Sequence, residues 1–585
     1  MDVVTELPAT SIPAASPALT LDSPVDCPLA PPLDIPAGLP KALTADRLVW
    51  LFVGIGVSLR LSRYLAGFPL WSDEYQLSAN FLNRGFADLL RPLEYNQVAP
   101  LGFLTIELAA TRLFGFSELS LRLLPVASAI LSVVLFRDVA SRLLRGLPLV
   151  IAMGIFAVAY YPIRLGAEVK PYASDLMLSL AFTTLIVRWW QDPLQVRWLY
   201  LMTGLAPIAL SISFPAAFVT GGISLGIAWT LWHLGTISEN RKGWIAWCAF
   251  NLVVVVAFFG LMRLSMGAQY DATRNEMTQC WADGFPPWRQ PLQLFVWLIS
   301  VHTSEMFAYP FGAEHGASTF TFLMFLAGIT ETIRRKRYDV ALTVGGWFGL
   351  SLIAAGLHRY PYGGHARLSQ YLAPAICLLS GAGAGAVISK LRDERWRIGI
   401  VRIGLVASAI IAIVLPMRDW LRPYKVAEDH AHREFSRKFW AGAPDEVTLC
   451  LKSDLGLEAY QGSVETAYLC NQRIYSPDHR DSRRNARAII DAADRPLRCV
   501  ALHSVSAQEN GSVLEDWMRE MLVRYDLRGH ERHEIPLMKR QDALAGLYTQ
   551  CYDVYHFVPK GAASASPAEV TGRMAVDPAP RTTTH

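Results

Sequence analysis

The chain has 585 residues, of which 52% are hydrophobic and only 18% charged, with a mean hydropathy of +0.26. A soluble protein of this length carries more charge, so the composition excludes an ordinary soluble enzyme and points to an integral membrane protein. The net charge of +4 is too small to indicate a nucleic-acid partner.

In chain order, residues 1–45 are rich in Pro, Ala and Leu. They lack a basic start followed by an apolar core, so they read as an unstructured leader rather than a cleaved signal. Apolar stretches able to cross a bilayer follow at 48–67, 120–141, 147–165, 171–189, 197–213, 215–234, 243–263, 318–334, 338–357, 368–389 and 398–416. Two further segments, 98–115 and 290–308, are interrupted by charge or flanked by Pro and Trp, and are expected as amphipathic helices on the membrane surface. Basic loops then collect on one side: Arg142 and Arg145, Arg188 and Arg197, Arg241 and Lys242, Arg334 to Arg337, and Lys390 to Arg397. Basic loops mark the cytoplasmic side. This predicts about eleven spans, thirteen if both odd segments cross, with the N-terminus inside and the C-terminus outside.

After residue 417 the pattern changes to short strands and helices. Strands are expected at 445–451, 497–502 and 554–558, with helices at 482–493 and 513–525, which together indicate a small α/β domain. The expected domains are the leader 1–45, a transmembrane domain 46–417, an extracytoplasmic α/β domain 418–560 and an unstructured tail 561–585. Four of the eight cysteines, Cys450, Cys470, Cys499 and Cys551, lie in the α/β domain; there they stand either as disulfides or as buried thiols. His430 with His432, and His530 with His533, have metal-like spacing but no third placed ligand, so they read as solvated histidines. Gly381–Gly385 lies inside a span, where small residues allow close helix packing.

The loops expected on the outer face hold the chemistry. Asp73 and Glu74 follow the first span directly, and carboxylates at a membrane boundary are costly unless a cation, a metal or a proton-transfer role compensates them. Glu168 and Lys170 share one short loop, ahead of a span that contains Asp175. Arg359, Tyr362, Gly363, Gly364, His365 and Arg367 share another. Acidic, basic and aromatic loops meeting at one leaflet suit an anionic, lipid-linked substrate. Each group also has a plainer reading: a solvated acidic pair for Asp73 and Glu74, an interfacial arginine for Arg122, a local ion pair for Glu168 and Lys170, and a membrane anchor for the Arg and Tyr cluster.

Four ordered elements carry a family resemblance: Asp73-Glu74 after the first span, Gln97–Gly102 with Gly115–Arg122, Glu168–Tyr172, and Arg359–Gly364 with Arg367. Over residues 45–420 the chain resembles the membrane glycosyltransferases of the C superfamily. More narrowly, it is similar to the bacterial relatives of dolichyl-phosphate-mannose protein mannosyltransferases and of lipid A aminoarabinose transferases. The resemblance implies an enzyme of the bacterial inner membrane that moves a sugar from a polyprenyl-phosphate donor to a lipid, glycan or protein acceptor on the extracytoplasmic face. It implies Asp73 as the base and Glu74 as its helper. Arg122, Lys170, Arg359, His365 and Arg367 are then the donor-phosphate ligands, and Gln97, Tyr172 and Tyr362 substrate contacts. A divalent metal on Asp73 and Glu168 is a further expectation. Many relatives carry a charged residue beside a Pro-Pro pair where this chain has Gln97, so no sugar identity carries over. A transporter or flippase of a lipid-linked saccharide, or an inactive assembly partner, are the rival readings. Transporters tend to show repeated halves with mid-membrane charge, and no internal repeat is evident here.

Overall fold

The computed structural model describes residues 28–35, 44–94, 97–235, 240–269, 279–312, 315–425, 427–441, 447–452, 456–460, 496–504, 511–535 and 550–561. The chain divides into two compact units, residues 1–430 and 431–585. The first is a helical, polytopic membrane unit and the second is built on a small sheet.

The membrane unit begins with α1 (Ala45–Leu65), whose Thr44 side chain accepts the Arg47 N–H at 3.3 Å as an N-cap. A short turn leads into α2 (Ser72–Asn83), followed by α3 (Leu101–Phe114), α4 (Glu118–Leu121) and α5 (Leu123–Leu143). Then come α6 (Leu147–Ala157), α7 (Tyr160–Leu165), α8 (Tyr172–Gln191), α9 (Arg197–Ile212), α10 (Ala216–His233) and α11 (Arg241–Leu261). Next are α12 (Pro291–His302), α13 (Ala317–Arg334), α14 (Tyr338–Gly356), α15 (Ala373–Ser389) and α16 (Glu394–Leu421). Among the described residues, six helical stretches are long and apolar enough to cross a membrane: 45–65, 123–143, 241–269, 338–356, 366–389 and 394–421. On α16 the side chains of Ile403, Val406, Ile410 and Ile413 are all exposed. Apolar residues at this spacing form a stripe suited to lipid rather than water.

The segments 98–115 and 290–308 form helices, α3 and α12. The expected single span 147–165 does not: it is two helices, α6 and α7, separated at residues 158–159. Ala159 is extended (φ −61°, ψ 121°), and the Tyr160 N–H turns aside to the Pro310 carbonyl at 2.9 Å. An external acceptor has replaced the intrahelical one, which is a recognised cause of a helix break. Part of the expected leader is also ordered. Leu29 and Ala30 are buried, the Leu29 N–H donates to the Leu143 carbonyl, and the Leu147 N–H donates to Leu33.

Glycines set the tightest helix contacts. A Cβ at Gly383 of α15 would lie 1.9 Å from the Met324 carbonyl oxygen of α13, and one at Gly381 would lie 2.6 Å from the Ala152 side chain of α6. The small-residue run therefore packs helices, as the sequence indicates.

The second unit holds a five-stranded mixed sheet, in the order β2-β1-β3-β5-β4. Its strands are β1 (Val447–Lys452), β2 (Gly456–Tyr460), β3 (Leu497–Ser504), β4 (Tyr525–Ile535) and β5 (Gln550–Pro559). β1 and β3 run parallel and the other neighbours antiparallel. β1, β3 and β5 match the expected strands; β2 and β4 are additional. α17 (Ala427–Ala441) precedes the sheet, and α18 (Gly511–Arg524) corresponds to the helix expected at 513–525. In this unit the buried His432 shares a 2.8 Å hydrogen bond with the Tyr552 hydroxyl, and Phe435 stacks on the same ring. His530 pairs with Asp553 at 3.0 Å. The helix expected at 482–493, and the side chains of Cys450, Cys470 and Cys551, lie outside the described residues.

Candidate functional site

The ends of α1, α7, α14 and α16 and the starts of α2, α8 and α15 bring the loops of interest together. Local sequence fixes the first of these. Trp71 is the N-cap of α2, and Glu74, three residues on, accepts the Trp71 backbone N–H at 3.2 Å, so the helix start is closed by its own carboxylate. Glu74 does far more than cap. Its two oxygens receive Nε and Nη2 of Arg122 at 2.8–3.1 Å, and Oε1 also receives the Val169 N–H at 2.7 Å. Arg122 donates onward to the Phe68 and Pro69 carbonyls. Both side chains are almost wholly buried, at 1% and 2% exposure. A forked, fully desolvated pair of this kind ties the α1–α2 turn, α5 and the 166–171 loop together.

Asp73, one residue earlier, points elsewhere. Its Oδ2 accepts Nη1 of Arg367 at 2.8 Å, and about a third of its side chain is exposed. Among the described residues Oδ1 has no hydrogen-bond partner. Arg367 is itself sandwiched, with its guanidinium 4.3 Å from the centroid of the Trp281 ring and 5.6 Å from that of Trp71. This fixes a planar cation against two indoles.

Arg367 also lines a cavity of about 240 Å³. Arg164, Lys425 and Arg367 supply three cations to its wall, against the carboxylates of Glu168 and Glu305, while Trp71, Tyr161, Leu165 and His365 complete it. Arg164 Nε donates to Glu168 Oε1 at 3.2 Å, and Lys425 Nζ stands 3.8 Å from the same oxygen and 3.0 Å from the centroid of the Trp71 ring. Burial lowers the Lys425 pKa to about 8, with Glu168 and Glu74 opposing the shift and Arg164 and Arg367 assisting it. Burial works against the charge on Glu305, yet His365, the Ala366 N–H and Tyr161 together hold its pKa below the ordinary value.

The remaining expected residues fall in three places. His365 lines the cavity with Arg367, 3.7 Å from Glu305. Lys170 and Gln97 form a buried chain behind Asp73: Lys170 Nζ donates to Gln97 Oε1 at 2.6 Å, and Gln97 Nε2 donates to Gln76 at 3.1 Å. Burial also pulls the Lys170 pKa down, while Asp73 pushes it up. Arg122 is taken up by Glu74, so it stands away from the cavity wall, and Glu74 has no oxygen left over for a metal. Tyr172, Tyr362 and Arg359 are not part of the wall either. Tyr172 is buried at the first turn of α8, the Tyr362 hydroxyl is bound to His302 Nε2 at 3.0 Å, and Arg359 is exposed beyond the end of α14.

Asp73 Oδ2 faces Arg367 and Glu168 Oε1 faces Arg164 and Lys425, while the second oxygen of each carboxylate has no hydrogen-bond partner among the described residues. Among the described residues no three His, Cys, Asp or Glu side chains are grouped to hold a metal. Arg164 and Lys425 are site residues that the sequence reading does not single out, whereas Trp281, in the aromatic-rich loop 264–317, reads from sequence as an interfacial anchor or a wall of the acceptor cavity. Arg164 sits four residues before Glu168 at the end of α7, a spacing that signals a pair. Lys425 carries no local signal at all.

No protein-family model matches the sequence, and no curated protein matches it. Solved structures similar to this chain include ArnT from Cupriavidus metallidurans in the apo state, at 11% identity over 88% of this chain and 98% of that one, with a TM-score of 0.47. The same protein bound to undecaprenyl phosphate matches at 12% identity, 87% and 97% coverage and a TM-score of 0.45. The archaeal oligosaccharyltransferase AglB from Archaeoglobus fulgidus, in complex with an inhibitory peptide and a dolichol-phosphate, matches at 12% identity, 68% and 58% coverage and a TM-score of 0.42.

Proposed function

We propose that the protein is a membrane glycosyltransferase that moves a sugar from a polyprenyl-phosphate donor to an acceptor hydroxyl or amine. The observation that carries this reading is Arg367, which holds Asp73 at 2.8 Å on one side and lines a cavity with an excess of cations on the other. A base and an anion site are thus joined by one guanidinium.

In the transfer step the acceptor oxygen or nitrogen attacks the anomeric carbon and loses its proton to Asp73 Oδ1. The bond from that carbon to the phosphate oxygen breaks, and the phosphate leaves with the electron pair. Arg164, Arg367 and Lys425 stabilise the growing phosphate charge where little water competes. Glu74 and Arg122 act as positioning residues, because they fix the helix start from which Asp73 projects. Gln97 holds the buried ammonium of Lys170 close behind Asp73. The acceptor, the kind of sugar and placement in a bacterial inner membrane follow the sequence resemblance and form part of the same proposal.

The test is transfer from a panel of undecaprenyl-phosphate sugars to envelope lipids, glycans and proteins. Asp73→Asn is expected to lower turnover by at least ~100-fold while undecaprenyl phosphate still binds. Full turnover by that variant removes Asp73 from the chemistry. Movement of the lipid-linked sugar across vesicles without any transfer product supports the transporter reading instead.

A further inference from the structure

Glu168 is one of the most deeply placed groups in the cavity wall, with a side chain only 5% exposed. Its two oxygens are used unequally. Oε1 takes both cations, Arg164 at 3.2 Å and Lys425 at 3.8 Å, whereas Oε2 is buried with no hydrogen-bond partner among the described residues. A second unmatched group lies on the same wall: the indole Nε1–H of Trp71 is buried and also lacks a partner among them. Buried polar atoms are almost always paired, and an unpaired one on a carboxylate is especially costly. Here one acceptor and one donor belong to residues that line a cavity whose charge already suits a phosphate.

We propose that Glu168 is the sugar-reading residue of the donor site: Oε2 accepts a hydrogen bond from a sugar hydroxyl while the Trp71 Nε1–H donates to a sugar or phosphate oxygen. The proposal rests on the donor class assigned above and adds which wall atoms recognise the sugar as distinct from its phosphate. A ligand bearing both donors and acceptors next to an anion is the chemistry that satisfies this pair of atoms. Arg164 and Lys425 have a specific part in it. By engaging Oε1 they lock the carboxylate plane, so that Oε2 points one way and tolerates one arrangement of hydroxyls. Sites that pair a buried acceptor with a substrate hydroxyl discriminate strongly against analogues that lack it.

Glu168→Gln tests this with almost no change of shape. The amide oxygen remains the partner of Arg164 and Lys425, which places the NH2 group where Oε2 stood and turns an acceptor into a donor. Binding of bare undecaprenyl phosphate and of a panel of undecaprenyl-phosphate hexoses and pentoses is measured on the full-length protein in nanodiscs. The wild type is expected to bind at least one glycosylated lipid tenfold or more tightly than the bare lipid. In Glu168→Gln that gain is expected to vanish, while affinity for the bare lipid stays the same or tightens, since a negative charge has been removed. A 2-, 3- or 4-deoxy version of the preferred sugar is expected to lose the same gain in the wild type only. An unaltered gain in Glu168→Gln, or no panel member binding better than the bare lipid, overturns the proposal and leaves Oε2 with an ordered water as its partner. Failure of bare undecaprenyl phosphate to bind any form of the protein is a different result, because it overturns the donor class itself.

Discussion

Asp73 and Glu74 are adjacent in sequence and opposite in use, and burial is what separates them. Glu74 is 1% exposed and spends its oxygens on Arg122, Trp71 and Val169, whereas Asp73 is 31% exposed and among the described residues hydrogen-bonds through its side chain to Arg367 alone. Removing one member of a buried ion pair strands the other in low dielectric, at a cost of about 3–5 kcal/mol. Arg122→Ala is therefore expected to lower stability by about that amount, measured as denaturant unfolding in detergent, whereas Asp73→Asn is expected to unfold like the wild type. Lys425 yields a pH prediction. Its pKa of about 8 lies below that of an ordinary lysine because burial disfavours the charge, so the cation is present below pH 8 and is lost above it. Affinity for undecaprenyl phosphate is expected to hold up to pH 8 and then to fall by up to about tenfold per pH unit. The phosphate has finished titrating by then, and Lys425→Met is expected to flatten this part of the profile. A Kd independent of pH from 8 to 10 in the wild type removes Lys425 from the phosphate site.

The elements that carry the site begin and end for reasons the sequence partly displays. The Trp71-to-Glu74 spacing is a helix-start signal, and the two successive glycines at 363 and 364 announce a turn; both have φ near +70°, the left-handed region that glycine adopts without strain. A Cβ at Gly363 would also meet Val301 at 2.2 Å, so these glycines shape the loop that aims His365 and Arg367. The break between α6 and α7 is only half displayed: Pro162 in the first turn of α7 marks a helix start, but the acceptor that diverts the chain, the Pro310 carbonyl, lies far off in sequence. Helix contact is testable through the α15 glycines. Gly383→Val would drive a side chain into the Met324 carbonyl, and is expected to cost at least ~2 kcal/mol. Gly399→Val on α16, which meets nothing within 4 Å, is expected to change stability little. Equal thermal unfolding of the two variants in nanodiscs would contradict the close packing of α13 on α15.

For the whole molecule, the basic loops and the site loops belong to opposite ends of the helices, which predicts a fixed sidedness. In a cysteine-free background, Phe86→Cys, exposed between α2 and α3, is expected to react with a membrane-impermeant maleimide in intact spheroplasts. Leu194→Cys, exposed between α8 and α9, is expected to react only after lysis. The reverse pattern inverts the topology. Composition, span lengths and basic loops are properties of local sequence, and they were enough to determine a polytopic helical protein and the loops that hold its unusual charges, Asp73-Glu74 foremost. Which charges face one another was settled only by the tertiary structure. Pairings such as Asp73 with Arg367, Glu74 with Arg122 and Glu168 with Lys425 span long stretches of chain, and whether a carboxylate is locked in a buried fork or left open at a cavity depends on what the fold packs around it.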